Sequence, residues 1–161
     1  MPEENSLSHY INKSKEITKK CGKKIRIGLL SSYTINGLKE ILQVKSADRN
    51  ISCMIYEAPY NQYSQEILNQ DSELYKFSPE LTFLIIDTRN IFGDIFRFPY
   101  SVSSSDRKKI VEKTNREIKN LVDKFVEKTN SKLVITKLNI PSFSPNGIIE
   151  SKTEYGFHEM I

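Results

Sequence analysis

Leu81-Thr82-Phe83-Leu84-Ile85-Ile86-Asp87 is the stretch on which the fold turns. It is apolar or β-branched at every position before the closing carboxylate. A strand with one wet face alternates, whereas a strand apolar throughout is covered on both sides, as the central strands of parallel sheets are. The run is too short for a buried helix, and Pro79 punctuates its entry. Working outward, Ile51 to Tyr56 reads as a second strand, and Lys24 to Leu30 as a first, with Ile25 and Ile27 alternating before Leu29-Leu30. Lys132 to Leu138 reads as a fourth.

Segments with helical period lie between these strands. Ile35 to Lys45 places Ile35, Leu38, Ile41 and Leu42 on one face, with Thr34 or Asn36 as its cap. Ser103 to Lys128 carries the stripe Ile110, Val111, Ile118, Leu121, Val122, Phe125 and Val126. Its cap comes from Ser103, Ser104 or Ser105, and Asp106 complements the positive end of the helix dipole. Gln65 to Leu68 and Ser72 to Phe77 read as short helical turns, Thr88 to Ser101 as a Phe/Gly/Pro-rich excursion, and Asn139 to Asn146 as a loop. Ser6 to Cys21 reads as a thinly striped helix stopped by Gly22, an extension over residues 1–22 docked on the main body. Ile148 to Ile161 reads as the start of a further helix, with Met160-Ile161 left exposed, so poor solubility or an oligomer is expected. Strand and helix alternation of this kind predicts an α/β three-layer sandwich over residues 23–161, with a mainly parallel, flavodoxin-like sheet.

The 161 residues suit one domain, with 38% hydrophobic and 27% charged residues. No apolar run has the length of a membrane span, and the first residues lack the apolar core of a secretory signal. Cys21 and Cys53 fit neither a metal site nor a disulfide framework, so a cytoplasmic setting is expected. The net charge of +4 gathers early, at Lys13, Lys15, Lys19, Lys20, Lys23, Lys24 and Arg26. No aromatic residue interleaves these side chains, which reads as a solvated face rather than a nucleic-acid surface.

Ligands of open parallel sheets bind where loops leave the carboxyl ends of the strands. That edge collects Ser31, Ser32, Tyr33 and Thr34 after the first strand, and Glu57, Tyr60, Asn61, Gln62 and Tyr63 after the second. Asp87, Thr88, Arg89 and Asn90 follow the third, and Asn139 and Ser142 the fourth. Ser31 and Ser32 either cap the following helix or touch a ligand. Asp87 either pairs with Arg89 and loop N–H groups or serves a site. Phosphate-loop, dinucleotide and nucleophile-elbow motifs are absent from the sequence, and His9 and His158 lie near opposite ends.

The run Ile25-Arg26-Ile27-Gly28-Leu29-Leu30-Ser31-Ser32-Tyr33-Thr34 resembles the opening of the N-terminal domain of FkbH-like proteins. The likeness continues through Tyr56-Glu57-Ala58-Pro59-Tyr60-Asn61-Gln62-Tyr63 and then Asp71-Ser72-Glu73-Leu74-Tyr75-Lys76-Phe77-Ser78-Pro79-Glu80. It ends on Leu84-Ile85-Ile86-Asp87-Thr88-Arg89. The resemblance implies an SGNH-hydrolase-like domain that precedes a haloacid-dehalogenase-like domain of subfamily IIIC. In such proteins the second domain does phosphatase-type chemistry with Mg²⁺ and a D-x-D motif. Some members load a glyceryl unit from a phosphorylated three-carbon donor onto an acyl carrier protein.

This sequence has no D-x-D motif, so no haloacid-dehalogenase-like domain and no cofactor of its own are expected. It reads as an N-terminal piece lacking the last strand or strands of its sheet. Ser31-Ser32 stands where SGNH enzymes have Gly-Asp-Ser, which leaves Ser32 as the nucleophile by position. Asp87-Thr88-Arg89-Asn90 stands for Gly-x-Asn-Asp, and a terminal Asp-x-x-His block is missing. The resemblance thus implies an accessory domain that binds substrate, carrier or partner domain through Ser31, Thr34, Glu57, Gln62, Asp87, Arg89 and Asn139. A minimal esterase or acyltransferase using Ser32 and a basic interaction module are the competing readings.

Overall fold

The computed structural model describes residues 6–17, 22–144 and 146–161. Its four strands are β1 (Lys23–Ser31), β2 (Ile51–Glu57), β3 (Leu81–Ile85) and β4 (Lys132–Ile135), and they form one sheet in the order β2-β1-β3-β4. Every pairing is parallel: Ile27 lies opposite Ile55 on one side and Leu81 on the other, and Leu84 lies opposite Ile135. The helices are α1 (Leu7–Lys15), α2 (Leu38–Ala47), α3 (Tyr63–Leu68), α4 (Glu73–Phe77), α5 (Thr88–Phe92), α6 (Asp94–Arg97), α7 (Ser104–Lys128) and α8 (Phe157–Met160). Short 3₁₀ turns occupy Pro99–Ser101 and Gly147–Lys152.

The continuous apolarity of β1 and β3 is spent on two cores, as the expected α/β sandwich requires. On one face Ile27, Leu29, Cys53 and Ile55 meet Leu38 and Leu42 of α2. On the other Leu30, Leu84 and Ile86 meet Ile67 of α3, Leu74 of α4 and Leu121 and Phe125 of α7. Gly28 lets α4 approach β1 closely: a Cβ there would stand 3.0 Å from Leu74 Cδ1 and 3.2 Å from Thr82 Oγ1.

Several boundaries differ from the sequence expectation, each for a local reason. Helix α2 starts at Leu38 and has no side-chain cap, because Gly37 at φ 85° turns the chain; neither Thr34 nor Asn36 caps it. The same glycine seats α1, since a Cβ at position 37 would collide with Leu7 Cδ1. Helix α1 ends at Lys15, and residues 18–21 of the expected helix, Cys21 among them, lie outside the described residues. Strand β4 ends at Ile135, although Thr136 N still donates to Leu84 O at 3.1 Å. The Thr88 to Ser101 excursion holds two short helices, broken where Gly93 takes φ 54°. The cap of α7 is Ser103, whose Oγ accepts from Asp106 N.

The C-terminal segment is the largest correction. Met160 is not exposed: it is buried on α8 next to Phe157, whose ring meets Phe96 and Phe143. The bare apolar surface lies instead at Ile148 and Ile149 of the preceding 3₁₀ turn. A polar anchor holds the segment down. Arg107, buried at the start of α7, donates to the carbonyls of Val102, Glu154 and Tyr155 and lies 4.9 Å from the Tyr100 ring centre. Tyr100 Oη in turn donates to the buried Glu150 carboxylate, which also accepts from Phe157 N and Ser144 Oγ.

Burial pushes the Glu150 carboxyl up, but the donors from Tyr100, Phe157, Asn146 and Ser144 outweigh it and leave it below its ordinary value. A carboxyl lowered in the folded state stabilises above its unfolded pKa, and that contribution is lost as pH falls through the folded value. Amide protection at Phe157 should therefore drop relative to Leu84 between pH 6 and about pH 3. Equal protection ratios across that range in hydrogen exchange would contradict the anchoring role.

Candidate functional site

In a sheet of order β2-β1-β3-β4 the chain leaves β1 toward one side and returns on the other, so the crevice between the carboxyl ends of β1 and β3 is the expected ligand position. Here that crevice is stitched shut. Ser32 N donates to Ile85 O at 3.0 Å, Asp87 N donates to Ser32 Oγ at 2.8 Å, and Asn90 Nδ2 donates to Ser32 O at 2.9 Å. Ser32 is 0% exposed. Below it Thr88, also buried, donates its hydroxyl to Asn139 O at 2.9 Å.

Asp87 caps α5 through its bond from Arg89 N, and its two oxygens also receive Arg89 Nε and Nη2, the latter at 2.6 Å. Those bonds hold the Asp87 carboxyl below the ordinary carboxylate range. Both structural roles open to Asp87 in the sequence are thus realised at once. The polar groups of this crevice are committed to one another.

One strand over, the edge is open. A cavity of about 340 Å³ lies between the loops that leave β1 and β2. Ser31, Tyr33, Thr34, Asn36, Glu57 and Tyr60 line it, with Ile35, Ala58 and Pro59 as its apolar part. Ser31 Oγ is engaged, accepting from Tyr33 N at 3.1 Å. Among the described residues no side-chain hydrogen bond or ion pair engages Thr34, Asn36, Glu57 or Tyr60. The contrast with the neighbouring crevice is one of spent against unspent hydrogen-bonding capacity.

The structure therefore divides the candidate residues. Ser31, Thr34 and Glu57 share the open cavity, whereas Ser32, Asp87 and Arg89 form the closed crevice. Gln62 precedes α3 and is exposed outside the cavity wall, and Asn139 contributes its backbone carbonyl to Thr88. Asn36 is the wall residue that a sequence reading assigns only to a cap. Its signal was its position two residues past Thr34 in the loop that leaves β1, just before the glycine that opens α2. Tyr33 and Tyr60 are legible as edge residues, and their standing 40% and 65% exposed marks them as wall rather than core.

No histidine joins Ser32. His9 sits on α1 against Tyr10, and the His158 ring nitrogen Nε2 lies 3.0 Å from Phe143 O. A larger hollow of about 690 Å³ is lined by Ser144 and by residues of the 147–159 segment, and its buried carboxylate, Glu150, is already engaged. Among the described residues no group of three or more His, Cys, Asp or Glu side chains is placed to hold a metal ion, and no helix is long and apolar enough to cross a membrane.

Comparison with known proteins agrees with this architecture. A solved structure, the N-terminal part of the protein BF1531 from Bacteroides fragilis, described as containing a phosphatase domain complexed with Mg, matches with a TM-score of 0.76 at 18% identity. The match covers 96% of this chain and 39% of that one, and at such identity it speaks for the fold alone. This chain thus spans about two-fifths of that neighbour's length. No curated protein matches the chain. The FkbH N-terminal domain family matches residues 26–146, which run from β1 through β4 and include both the closed crevice and the open cavity. The chain belongs to the FkbH N-terminal domain family.

Proposed function

We propose that this chain is the accessory domain of an FkbH-like protein. It holds a substrate, an acyl carrier or a partner domain at the mouth of β1 and β2, and the covalent chemistry belongs to a haloacid-dehalogenase-like domain with its Mg²⁺. The observation that carries this reading is the state of Ser32. A nucleophilic serine needs an exposed Oγ and a base within hydrogen-bond reach. Ser32 is sealed, its Oγ accepts a backbone N–H, and no histidine stands beside it. The open cavity next to it offers side chains able to bind but no activated nucleophile. We place the protein in the cytoplasm, in keeping with Cys53 as a buried free thiol.

The purified chain should hydrolyse neither a short-chain ester nor, with Mg²⁺ present, a phosphorylated three-carbon donor above the buffer rate. Replacing Ser32→Ala should cost about 1–2 kcal/mol of stability, because the Asp87 N–H loses its acceptor. Ester turnover by the wild type that Ser32→Ala abolishes would establish the SGNH-like esterase reading instead. Phosphatase turnover by the chain alone would place the chemistry here and overturn the accessory reading.

A further inference from the structure

The cavity at the mouth of β1 and β2 carries a charge pattern opposite to that of the chain as a whole. The protein bears a net +4, yet the cavity wall holds one carboxylate, Glu57, and no basic side chain. The wall therefore offers an anionic ligand no counter-ion, and Arg89, outside that wall, is already paired with Asp87 of its own loop. The two tyrosines enter from different loops, Tyr33 after β1 and Tyr60 after β2. Aromatic faces carry the negative part of the ring quadrupole, so a cation between them and a carboxylate is attracted by all three groups. Ile35, Ala58 and Pro59 supply apolar wall against which methyl or methylene groups lose water.

We propose that this pocket binds the ammonium head of a small organic cation, with Glu57 as counter-ion and Tyr33 and Tyr60 as the aromatic walls. The hydroxyl and amide of Thr34 and Asn36 then remain for a hydroxyl on the ligand's short chain. The proposal rests on the reading of this cavity, rather than the β1–β3 crevice, as the binding site, and it names the class of ligand that site takes.

The test is a titration of the whole chain with choline chloride, followed by tyrosine fluorescence, which no tryptophan masks because the chain has eight tyrosines and none of the latter. Glycerol and inorganic phosphate serve as neutral and anionic comparisons. Choline should give a saturable response. Tyr60→Ala and Glu57→Gln should each weaken it by about fivefold or more, as loss of a cation–π face or of a counter-ion does. Both side chains are exposed, so the variants should fold, which circular dichroism checks. No saturation by about 50 mM choline, wild-type affinity in both variants, or tighter binding of phosphate or glycerol would overturn the assignment. If choline fails while Glu57→Gln still lowers the activity of the complete FkbH-like protein, the ligand class is refuted and the accessory site survives. If neither responds, both fall.

Discussion

Phe125→Ala should lower the stability of the chain by about 3–5 kcal/mol and its Tm by about 10 °C. Phe125 is 0% exposed and sits where α7 crosses the sheet, in one cluster with Leu30, Leu84, Ile86 and Ile67. Truncation removes the largest fully buried side chain of the core and leaves a hole bounded by two central strands, which are held on both edges by backbone bonds and cannot collapse into it. The next residue provides the control. Val126 is 64% exposed on the solvent side of the same helix, so Val126→Ala should change stability by about 0.5 kcal/mol or less. Urea unfolding of both variants checks the pair. Similar midpoints would mean that α7 does not close the core as described.

Arg107→Met should release the C-terminal segment while leaving the sheet folded. The substitution keeps the stem of the side chain but leaves the carbonyls of Val102, Glu154 and Tyr155 without their donor, and removes the cation beside the Tyr100 ring. Each buried carbonyl left without a donor costs about 1–3 kcal/mol, and the cost falls on the least supported part of the structure. Hydrogen exchange should show lost protection over 147–160 with unchanged protection in β1 and β3, and proteolysis should nick the segment first. Uniform loss of protection across the chain would show that the segment and the sheet unfold as one unit.

The sheet was legible because its cause is local. Leu81 to Ile86 and Leu29-Leu30 are apolar or β-branched at successive positions, which parallel strands covered on both faces require. The stripe of α7 and its serine cap were legible for the same reason, since period and capping chemistry lie within one element; Val126, expected in that stripe, is the exception, because it turns to the solvent side. The site was only half legible. Membership of the carboxyl edge follows from strand ends, so Ser31, Thr34 and Glu57 could be named. Whether an edge residue faces a cavity or is consumed within the fold depends on partners far along the chain. Ser32 is sealed by Asp87 and Asn90, more than fifty residues on, and nothing near position 32 encodes that bond. The burial of Met160 depends likewise on Phe157, Phe96 and the Arg107 anchor, which no local pattern joins.

The strand order has a consequence for how the chain is made. Strand β1 is the first to emerge from a ribosome, yet it occupies an inner position, with β2 on one side and β3 on the other. Once Glu57 is out, one edge of β1 is met, but its second edge waits for Leu81–Ile85, and Leu30 waits until Phe125 arrives. For the time it takes to translate that interval, several seconds at roughly 5–20 residues per second, the nascent chain presents an apolar strand with one open edge. Vectorial synthesis therefore exposes this domain to early mispairing at the strand that later becomes best protected. Slowing elongation after β2 has left the ribosome and before β3 has emerged should raise its demand for a chaperone that shields strand edges.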